Sequence, residues 1–152
     1  MAAYKHILVP TDGSKLSLSA AKEAAVLAKS LKAKITAVYV IPPWSPPVGA
    51  ESTLLYAHAY DEKAYHKATE ANAMKALDKV EQAAAAEKVG CDKHWVVSVR
   101  AWEGIIKAAK SRKCDLIVMA SHGRRGLAAA LIGSETQKVL VHSTVPVLVC
   151  KA

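Results

Sequence analysis

Short apolar segments of strand length alternate with longer helical segments along the chain, and this alternation limits the fold more than any other feature. Between the strand-length runs, apolar residues recur at helical spacing. Strands that are apolar on both faces and alternate with helices are typical of a parallel sheet covered on both sides. The sequence therefore predicts an α/β fold, a three-layer open parallel five-stranded sheet with helices on both faces and right-handed crossovers. The predicted strands are about His6–Pro10, Ile35–Ile41, Trp95–Val99, Asp115–Met119 and Pro146–Cys150, and the predicted helices are about Ser14–Leu31, Asp61–Val89, Glu103–Lys110 and Ser134–Val141.

The chain has 152 residues, which is enough for one hydrophobic core and too few for two ordinary domains. It contains neither an internal repeat nor a change of composition that would mark a linker. We therefore expect residues 1–152 to form a single domain. No apolar stretch approaches the roughly 20 residues of a membrane helix, and no leader-like apolar segment precedes the first strand. We expect a cytoplasmic protein with no membrane partner.

The segment Pro42–Tyr60 interrupts the alternation of strands and helices. It contains Pro-Pro-Trp-Ser-Pro-Pro-Val-Gly, which does not fit a helix or an interior strand because proline lacks an N–H group and fixes φ. We expect a surface loop that leads into the second helix. Two roles stay open for it, a plain connection or a lid over a binding site.

The formal net charge of +8 favours anionic ligands without identifying one. Most of the positive charge is lysine spread along helical segments near acidic residues, which is typical of a solvated face. Arg124 and Arg125 are two of only four arginines and lie together in a glycine-containing loop. This concentration favours a small anion, so we expect no nucleic-acid partner. The three cysteines and six histidines lack metal-ligand spacing, which predicts free buried thiols and no metal site.

The loop after the fourth strand has the features of a phosphate site. Ligands of open parallel sheets bind beyond the carboxyl ends of strands, where the strand order reverses. Glycines at 123, 126 and 133 permit a close backbone approach, and Ser134 with Gln137 fits a capping box at a helix N-terminus. Unpaired N–H groups and the helix dipole attract phosphate there, and the paired arginines add charged donors. The alternative is an ordinary helix cap with surface arginines, but the features together favour phosphate.

The first strand ends in Pro10-Thr11-Asp12-Gly13-Ser14 and lacks the G-x-G-x-x-G loop of dinucleotide-binding proteins. A carboxylate at Asp12 repels pyrophosphate but accepts hydrogen bonds from ribose hydroxyls. We therefore expect phosphate over the loop of the fourth strand and a sugar or another polar group near Asp12. The alternative role of Asp12 is the N-cap of the first helix.

Over its whole length the chain resembles the universal stress proteins. The opening Ile-Leu-Val-Pro-Thr-Asp-Gly-Ser is similar to the first strand and turn of that family. The family's nucleotide motif is Gly, two residues, Gly, nine residues, then Gly followed by Ser or Thr. The corresponding residues here are Ala120, Gly123, Gly133 and Ser134. The ending Thr144-Val-Pro-Val-Leu-Val149 is similar to the family's last strand.

This resemblance implies a Rossmann-like sheet of strand order 3-2-1-4-5 and a pocket for ATP or AMP, with or without Mg²⁺. It implies that Asp12 contacts the ribose, that Pro10 and Val40 flank the adenine, and that the motif glycines with Ser134 and Thr136 hold phosphates. The predicted nucleotide-binding residues are Pro10, Thr11, Asp12, Val40, Met119, Ala120, His122, Gly123, Arg124, Arg125, Gly126, Gly133, Ser134, Glu135 and Thr136.

The resemblance also implies a role in stress tolerance and a homodimer formed through the fifth strand. We assign the dimer contact to Val145–Cys150, because an unpaired Val-Pro-Val-Leu-Val edge strand invites uncontrolled pairing with other chains.

Two positions depart from the family's pattern. Ala120 stands where the motif has its first glycine, which weakens the expected ATP binding more than it abolishes it. Val99–Trp102 replaces a turn in which family members often carry glycine and proline. Trp102 either stacks on a base or, the interpretation we favour, packs a helix onto the sheet.

We predict an adenine-nucleotide-binding regulatory module of the stress response. The sequence has no G-x-S-x-G nucleophile elbow and no P-loop lysine, so we predict no catalytic residue and at most slow ATP hydrolysis. Two alternatives stay open. One is a nucleotide-independent dimeric interaction protein of the same fold, and the other is a slow ATPase in which His122 acts with Ser121 or Ser134.

Overall fold

The computed structural model of the protein describes residues 3–46, 61–123 and 131–151. Within these ranges five strands alternate with four helices. All strand pairs are parallel, and the strand order is β3-β2-β1-β4-β5, which confirms the predicted architecture. The strands are β1 His6–Pro10, β2 Lys34–Ile41, β3 Cys91–Val97, β4 Leu116–Ala120 and β5 Val147–Cys150. The helices are α1 Lys15–Leu31, α2 Glu62–Ala86, α3 Ala101–Ser111 and α4 Ser134–His142.

The core forms two layers, one on each face of the sheet, because successive side chains of a strand point to opposite faces. Ile7 and Val9 of β1 pack with α1 and α2 on one face. Leu8 of the same strand packs with α3 and α4 on the other face. The strand therefore has apolar residues from Ile7 to Pro10, and every residue of β1, including His6, is buried.

Helix α1 covers the middle of the sheet with alanine rather than with large side chains. Ser14 begins the helix as its N-cap, and its hydroxyl accepts the Ser17 N–H at 3.2 Å. Small side chains allow the helix backbone to lie close to the strands. This close packing fixes the start of α1 next to the end of β1. The alanines that face the sheet are Ala20, Ala21, Ala24, Ala25 and Ala28, each no more than 1% exposed.

The predicted bounds of the third strand are wrong, since β3 begins at Cys91 and ends at Val97 rather than spanning Trp95–Val99. β3 is an edge strand of alternating half-buried and exposed residues, so it lacks a continuous apolar run at its start. Polar Lys93 is held in it by α2, where its ammonium lies 2.9 Å from Asp78 Oδ1 and 2.8 Å from Glu81 Oε2. The other elements agree with their predicted bounds to within three residues.

The loop predicted for Pro42–Tyr60 lies mostly outside the described residues. Its start is fixed to α2, because the Tyr65 hydroxyl donates a hydrogen bond to the Pro42 carbonyl at 2.6 Å. None of the helices in the described part of the chain is long and apolar enough to cross a membrane.

Candidate ligand-binding site

A cavity of about 390 Å³ lies at the carboxyl edge of the sheet, beyond the ends of β1 and β4. These two strands are neighbours but not consecutive in sequence, so the strand order reverses between them. The cavity therefore lies where open parallel sheets bind ligands. Its lining contains every predicted nucleotide-binding residue that the structure describes, namely Pro10, Thr11, Asp12, Val40, Met119, Ala120, His122, Gly123, Gly133, Ser134, Glu135 and Thr136.

The turn after β1 presents Asp12 to the cavity through a set of local hydrogen bonds. The Asp12 carboxylate accepts the Ser14 N–H at 2.9 Å, and the Thr11 hydroxyl accepts the Gly13 N–H at 3.2 Å. Gly13 takes a φ of 82°, which a residue with a Cβ adopts only with strain. Ser14, not Asp12, is the N-cap of α1. The alternative role for Asp12 as an N-cap is therefore wrong, and its carboxylate stands at the wall of the cavity.

The loop after β4 approaches Asp12 at a glycine. A Cβ on Gly123 would lie 2.7 Å from Asp12 Oδ2, closer than real Cβ contacts allow. Any larger residue at 123 would therefore displace either the loop or the carboxylate. One residue earlier, His122 Nδ1 lies 3.1 Å from the Ser121 hydroxyl, which orients the imidazole ring.

The N-terminus of α4 forms the far wall of the cavity, but the predicted capping box is wrong. Gly133 is the N-cap and has no side chain to cap the helix, and the Gln137 side-chain amide donates to the Ile132 carbonyl at 3.0 Å. A Cβ on Gly133 would lie 3.2 Å from the Ser121 carbonyl oxygen, and the Gly133 N–H donates to that same oxygen at 2.7 Å. A glycine is selected here for its close contact with the preceding loop, at the expense of a side-chain cap. The first turn of α4 therefore borders the cavity, and within the described residues its N–H groups make no hydrogen bond to an N-cap side chain.

Ala120 is the last residue of β4 and lines the cavity. It is 9% exposed, and its carbonyl accepts a hydrogen bond from the Thr136 hydroxyl at 3.0 Å. This bond ties the first turn of α4 to the end of β4. The Thr136 hydroxyl proton is used within the protein, so this hydroxyl faces the cavity only as an acceptor.

Trp102 lies outside the cavity lining and packs against the core on the α3 and α4 face of the sheet. Its ring stacks on His142 at a centroid distance of 4.6 Å. This position agrees with the packing role for Trp102 and not with stacking on a base in the cavity. Its backbone N–H donates to Glu135 Oε2 at 2.9 Å, which joins α3 to α4.

The rest of the lining was missed by the sequence predictions. Gly104 explains part of it, because a Cβ there would lie 3.0 Å from both methyl groups of Val40. The glycine lets α3 lie against β2 and form one side of the cavity. A glycine inside a helical segment was the available signal for this close approach. The missed lining residues are Ser17, Val38, Tyr39, Pro42, Ala101 and Ile105.

Arg124, Arg125 and Gly126 lie outside the described residues, and their contribution to the site stays a prediction.

Cys91, Cys114 and Cys150 are free thiols, as predicted, although Cys91 is only half-buried. Burial raises the pKa of all three to about 11, so they remain protonated at neutral pH. Across residues 3–46, 61–123 and 131–151, no cluster of three or more His, Cys, Asp or Glu side chains is placed to hold a metal ion.

The chain matches known proteins over nearly its whole length. The model of the universal stress protein family matches residues 3–151. Universal stress protein MJ0531 of Methanocaldococcus jannaschii is 36% identical over 148 residues, which cover 97% of this chain and 82% of the relative. The chain therefore belongs to the universal stress protein family.

Solved structures show the same fold. The structure of protein MJ0577 superposes with a TM-score of 0.74 and is 28% identical, covering 99% of this chain and 97% of the other. A universal stress protein in complex with cAMP superposes with a TM-score of 0.70 at 26% identity, covering 97% of both chains.

Proposed function

We propose that this universal stress protein is a cytoplasmic regulatory module that binds an adenine nucleotide, ATP or AMP, in the cavity at the carboxyl edge of the sheet. The proposal rests on one observation, namely that two opposite walls of the cavity differ in their chemistry. Asp12 presents a carboxylate on one side, and the uncapped N-terminus of α4 presents backbone N–H groups on the other. A nucleotide has hydroxyl donors at its sugar and anionic oxygens at its phosphate, so it matches both walls at once.

The individual contacts follow from this orientation. The ribose hydroxyls donate to Asp12, and the phosphate accepts from N–H groups at Gly133 and Ser134. The base lies toward β2 between apolar side chains, where Pro10 and Val40 flank it. Arg124 and Arg125 supply further phosphate donors, with or without Mg²⁺. A universal stress protein of similar fold forms a complex with cAMP, which supports the binding of an adenine nucleotide by this chain.

Isothermal titration calorimetry of the purified chain with ATP and with AMP, in the presence of Mg²⁺, tests the proposal. Binding of at least one nucleotide is expected, and Asp12→Ala should weaken it about tenfold, because hydrogen bonds to a charged group typically contribute 1.5–3 kcal/mol. Asp92→Ala is the matched control, since Asp92 is an exposed carboxylate of β3 outside the cavity. Absence of any heat with both nucleotides would overturn the proposal.

We also propose that two copies of the chain pair through Val145–Cys150. β5 is an edge strand that pairs with β4 on one side only, and Leu148 is 45% exposed on it. Leu140 and Val141 of the adjacent helix α4 are 41% and 76% exposed, which extends the apolar surface next to this strand. A partner chain would satisfy the strand edge and cover this surface. Sedimentation should give a dimer at micromolar concentration, and Leu148→Lys should shift it to monomer; a wild-type chain that sediments only as monomer would contradict the pairing.

A further inference from the structure

The described part of the cavity lining contains two carboxylates although the chain as a whole is basic. The sequence carries a formal net charge of +8. Among the described residues that line the cavity, Asp12 and Glu135 are acidic. The two carboxylates come from opposite walls, one after β1 and one in the first turn of α4. A carboxylate in that first turn lies close to the proposed phosphate site, so its charge bears on which nucleotide the cavity accepts.

Glu135 is held in place by the neighbouring helix. Its Oε2 accepts the N–H of Trp102, the second residue of α3, at 2.9 Å. Arg100, the N-cap of α3, supplies no capping hydrogen bond, so Glu135 provides from α4 the cap that α3 lacks. A carboxylate at a helix N-terminus is stabilised there by the helix dipole. The Arg100 guanidinium bonds to Glu103 at 2.8 Å, so a different carboxylate takes up this cation.

The same carboxylate belongs to the first turn of α4, beside the proposed phosphate site. In the proposed function the phosphate lies at the N-terminus of α4, and Glu135 is the second residue of that helix. Each additional phosphate group brings more negative charge toward a carboxylate that Trp102 keeps at the wall of the cavity. Like charges at a few ångströms repel, and the repulsion is stronger beside a protein surface than in free water.

We propose that Glu135 is a specificity-determining residue that makes this cavity prefer a nucleoside monophosphate over a nucleoside triphosphate. The inference rests on the proposed function and adds to it which nucleotide the site selects. It assigns to Glu135 a role in discrimination between ligands, in addition to its structural role as the cap of α3.

The test measures dissociation constants of AMP and ATP by calorimetry in excess EDTA, for the wild-type chain and for Glu135→Gln. Glutamine keeps a side-chain oxygen that accepts the Trp102 N–H but removes the charge. Wild type should bind AMP more tightly than ATP. Glu135→Gln should raise ATP affinity about tenfold and AMP affinity by a smaller factor, so that the ratio of the two constants moves toward one.

Two further variants separate charge from geometry. Glu103→Gln is the matched control, because it removes a carboxylate from the first turn of α3 that does not line the cavity, and it should leave the ratio unchanged. Glu135→Asp keeps the charge on a shorter side chain and should keep the preference for AMP. Circular dichroism melting of each variant verifies that it is folded at the temperature of the titration.

The outcomes distinguish this inference from the proposed function. If wild type binds ATP more tightly than AMP, or if Glu135→Gln changes both affinities by the same factor, the role of Glu135 is wrong while nucleotide binding stands. If Glu135→Asp loses the preference as Glu135→Gln does, a carboxylate charge on this residue is not sufficient for the preference, which also overturns the inference. If neither nucleotide binds wild type, the proposed function itself fails.

Discussion

The two edges of the sheet are made from the same five strands, yet the chain turns differently at each. At the amino edge, helices α1, α2 and α3 return to the next strand through short turns. At the carboxyl edge, the turns after β1 and β4 contain glycine, and α4 begins at Gly133, which has no side chain to cap the helix. At the amino edge, the turns satisfy their own backbone hydrogen bonds. At the carboxyl edge, donors and acceptors face the cavity.

The amino edge repeats one turn three times. Lys32, Lys88 and Lys113 follow α1, α2 and α3 in the left-handed conformation, with φ between 55° and 59°. After each lysine, the next residue donates its N–H back into the helix, as Ala33 does to the Ala28 carbonyl at 2.8 Å. This is the Schellman motif, which satisfies the free carbonyls at a helix end. Glycine is usual at the left-handed position, so lysine there carries a backbone cost.

The difference between the edges separates stability from ligand binding. Changes at the amino edge should alter the free energy of unfolding and leave ligand affinity intact. Changes at the carboxyl edge should alter ligand affinity and leave the free energy of unfolding intact. Substitutions at each edge test this separation.

Gly123→Val should lower nucleotide affinity roughly ten- to a hundredfold, the size expected for overpacking a close contact. A Cβ at this position would lie 2.7 Å from Asp12 Oδ2, so the Asp12 carboxylate cannot keep its place. Calorimetry measures the loss. Gly90→Val is the matched control at the amino edge, where nothing lies within 4 Å of the added Cβ, and it should bind nucleotide as wild type does. Equal losses of nucleotide affinity in both variants would contradict the proposed difference between the two edges.

Asp115→Ala should lower the free energy of unfolding by about 1–2 kcal/mol, because two backbone donors lose their acceptor. The Asp115 carboxylate accepts the N–H of Lys5 at 2.9 Å and the N–H of His6 at 3.0 Å, which fixes the start of β1 at the amino edge. Urea denaturation measures the change, and nucleotide affinity should not shift. A loss of affinity with unchanged stability would contradict the prediction.

Replacing Lys32, Lys88 or Lys113 with glycine should stabilise the fold by about 0.5 kcal/mol per site. Relief of the left-handed backbone outweighs the greater freedom of glycine in the unfolded chain and the lost charge at the helix end. Denaturant melts of the single variants and of the triple variant measure the gain. Lys107→Gly, within α3, is the control and should destabilise by about 1 kcal/mol. A triple variant less stable than wild type would show that the lysine charges outweigh the strain.

The His6 side chain, at the amino edge, should lower the free energy of unfolding in mild acid. Burial, and next the Lys34 ammonium, lower the pKa of His6 from its usual 6.5. The folded state therefore holds the neutral ring, whose Nε2 lies 2.7 Å from the Thr36 hydroxyl, while the unfolded chain takes up a proton first. The free energy of unfolding should fall as the pH drops through 6.5 toward the folded pKa.

Thermal melts between about pH 7.5 and pH 5 test this dependence. His6→Gln should reduce it without removing it, because burial also lowers the pKa of His94. An unchanged pH dependence in His6→Gln would contradict the role of His6.

Sequence patterns predicted the bounds of a strand well where all of its residues are buried. β1 was predicted without error because each of its residues is buried, so its apolar run is continuous. β3 was misplaced because Lys93 is held in it by Asp78 and Glu81 of α2, and local spacing contains no sign of such distant partners.

The candidate site divides in a similar way. Residues that follow strand ends, such as Asp12 and Gly123, were predicted because topology alone places them at one edge. The predicted capping box of α4 was wrong because the contact of Gly133 with the Ser121 carbonyl determines where the helix begins. This tertiary contact overrides the local pattern of Ser134 and Gln137. The contact of Glu135 with Trp102 spans 33 residues, and no local signal predicts it.

The hydrogen bond from the Gly133 N–H to the Ser121 carbonyl also has a consequence for protein engineering. It joins the two ends of the connection between β4 and α4 at an N···O distance of 2.7 Å. Both partners lie outside the segment 124–130. We therefore expect that new sequences placed in this segment can change the ligand preference while the surrounding frame keeps its shape.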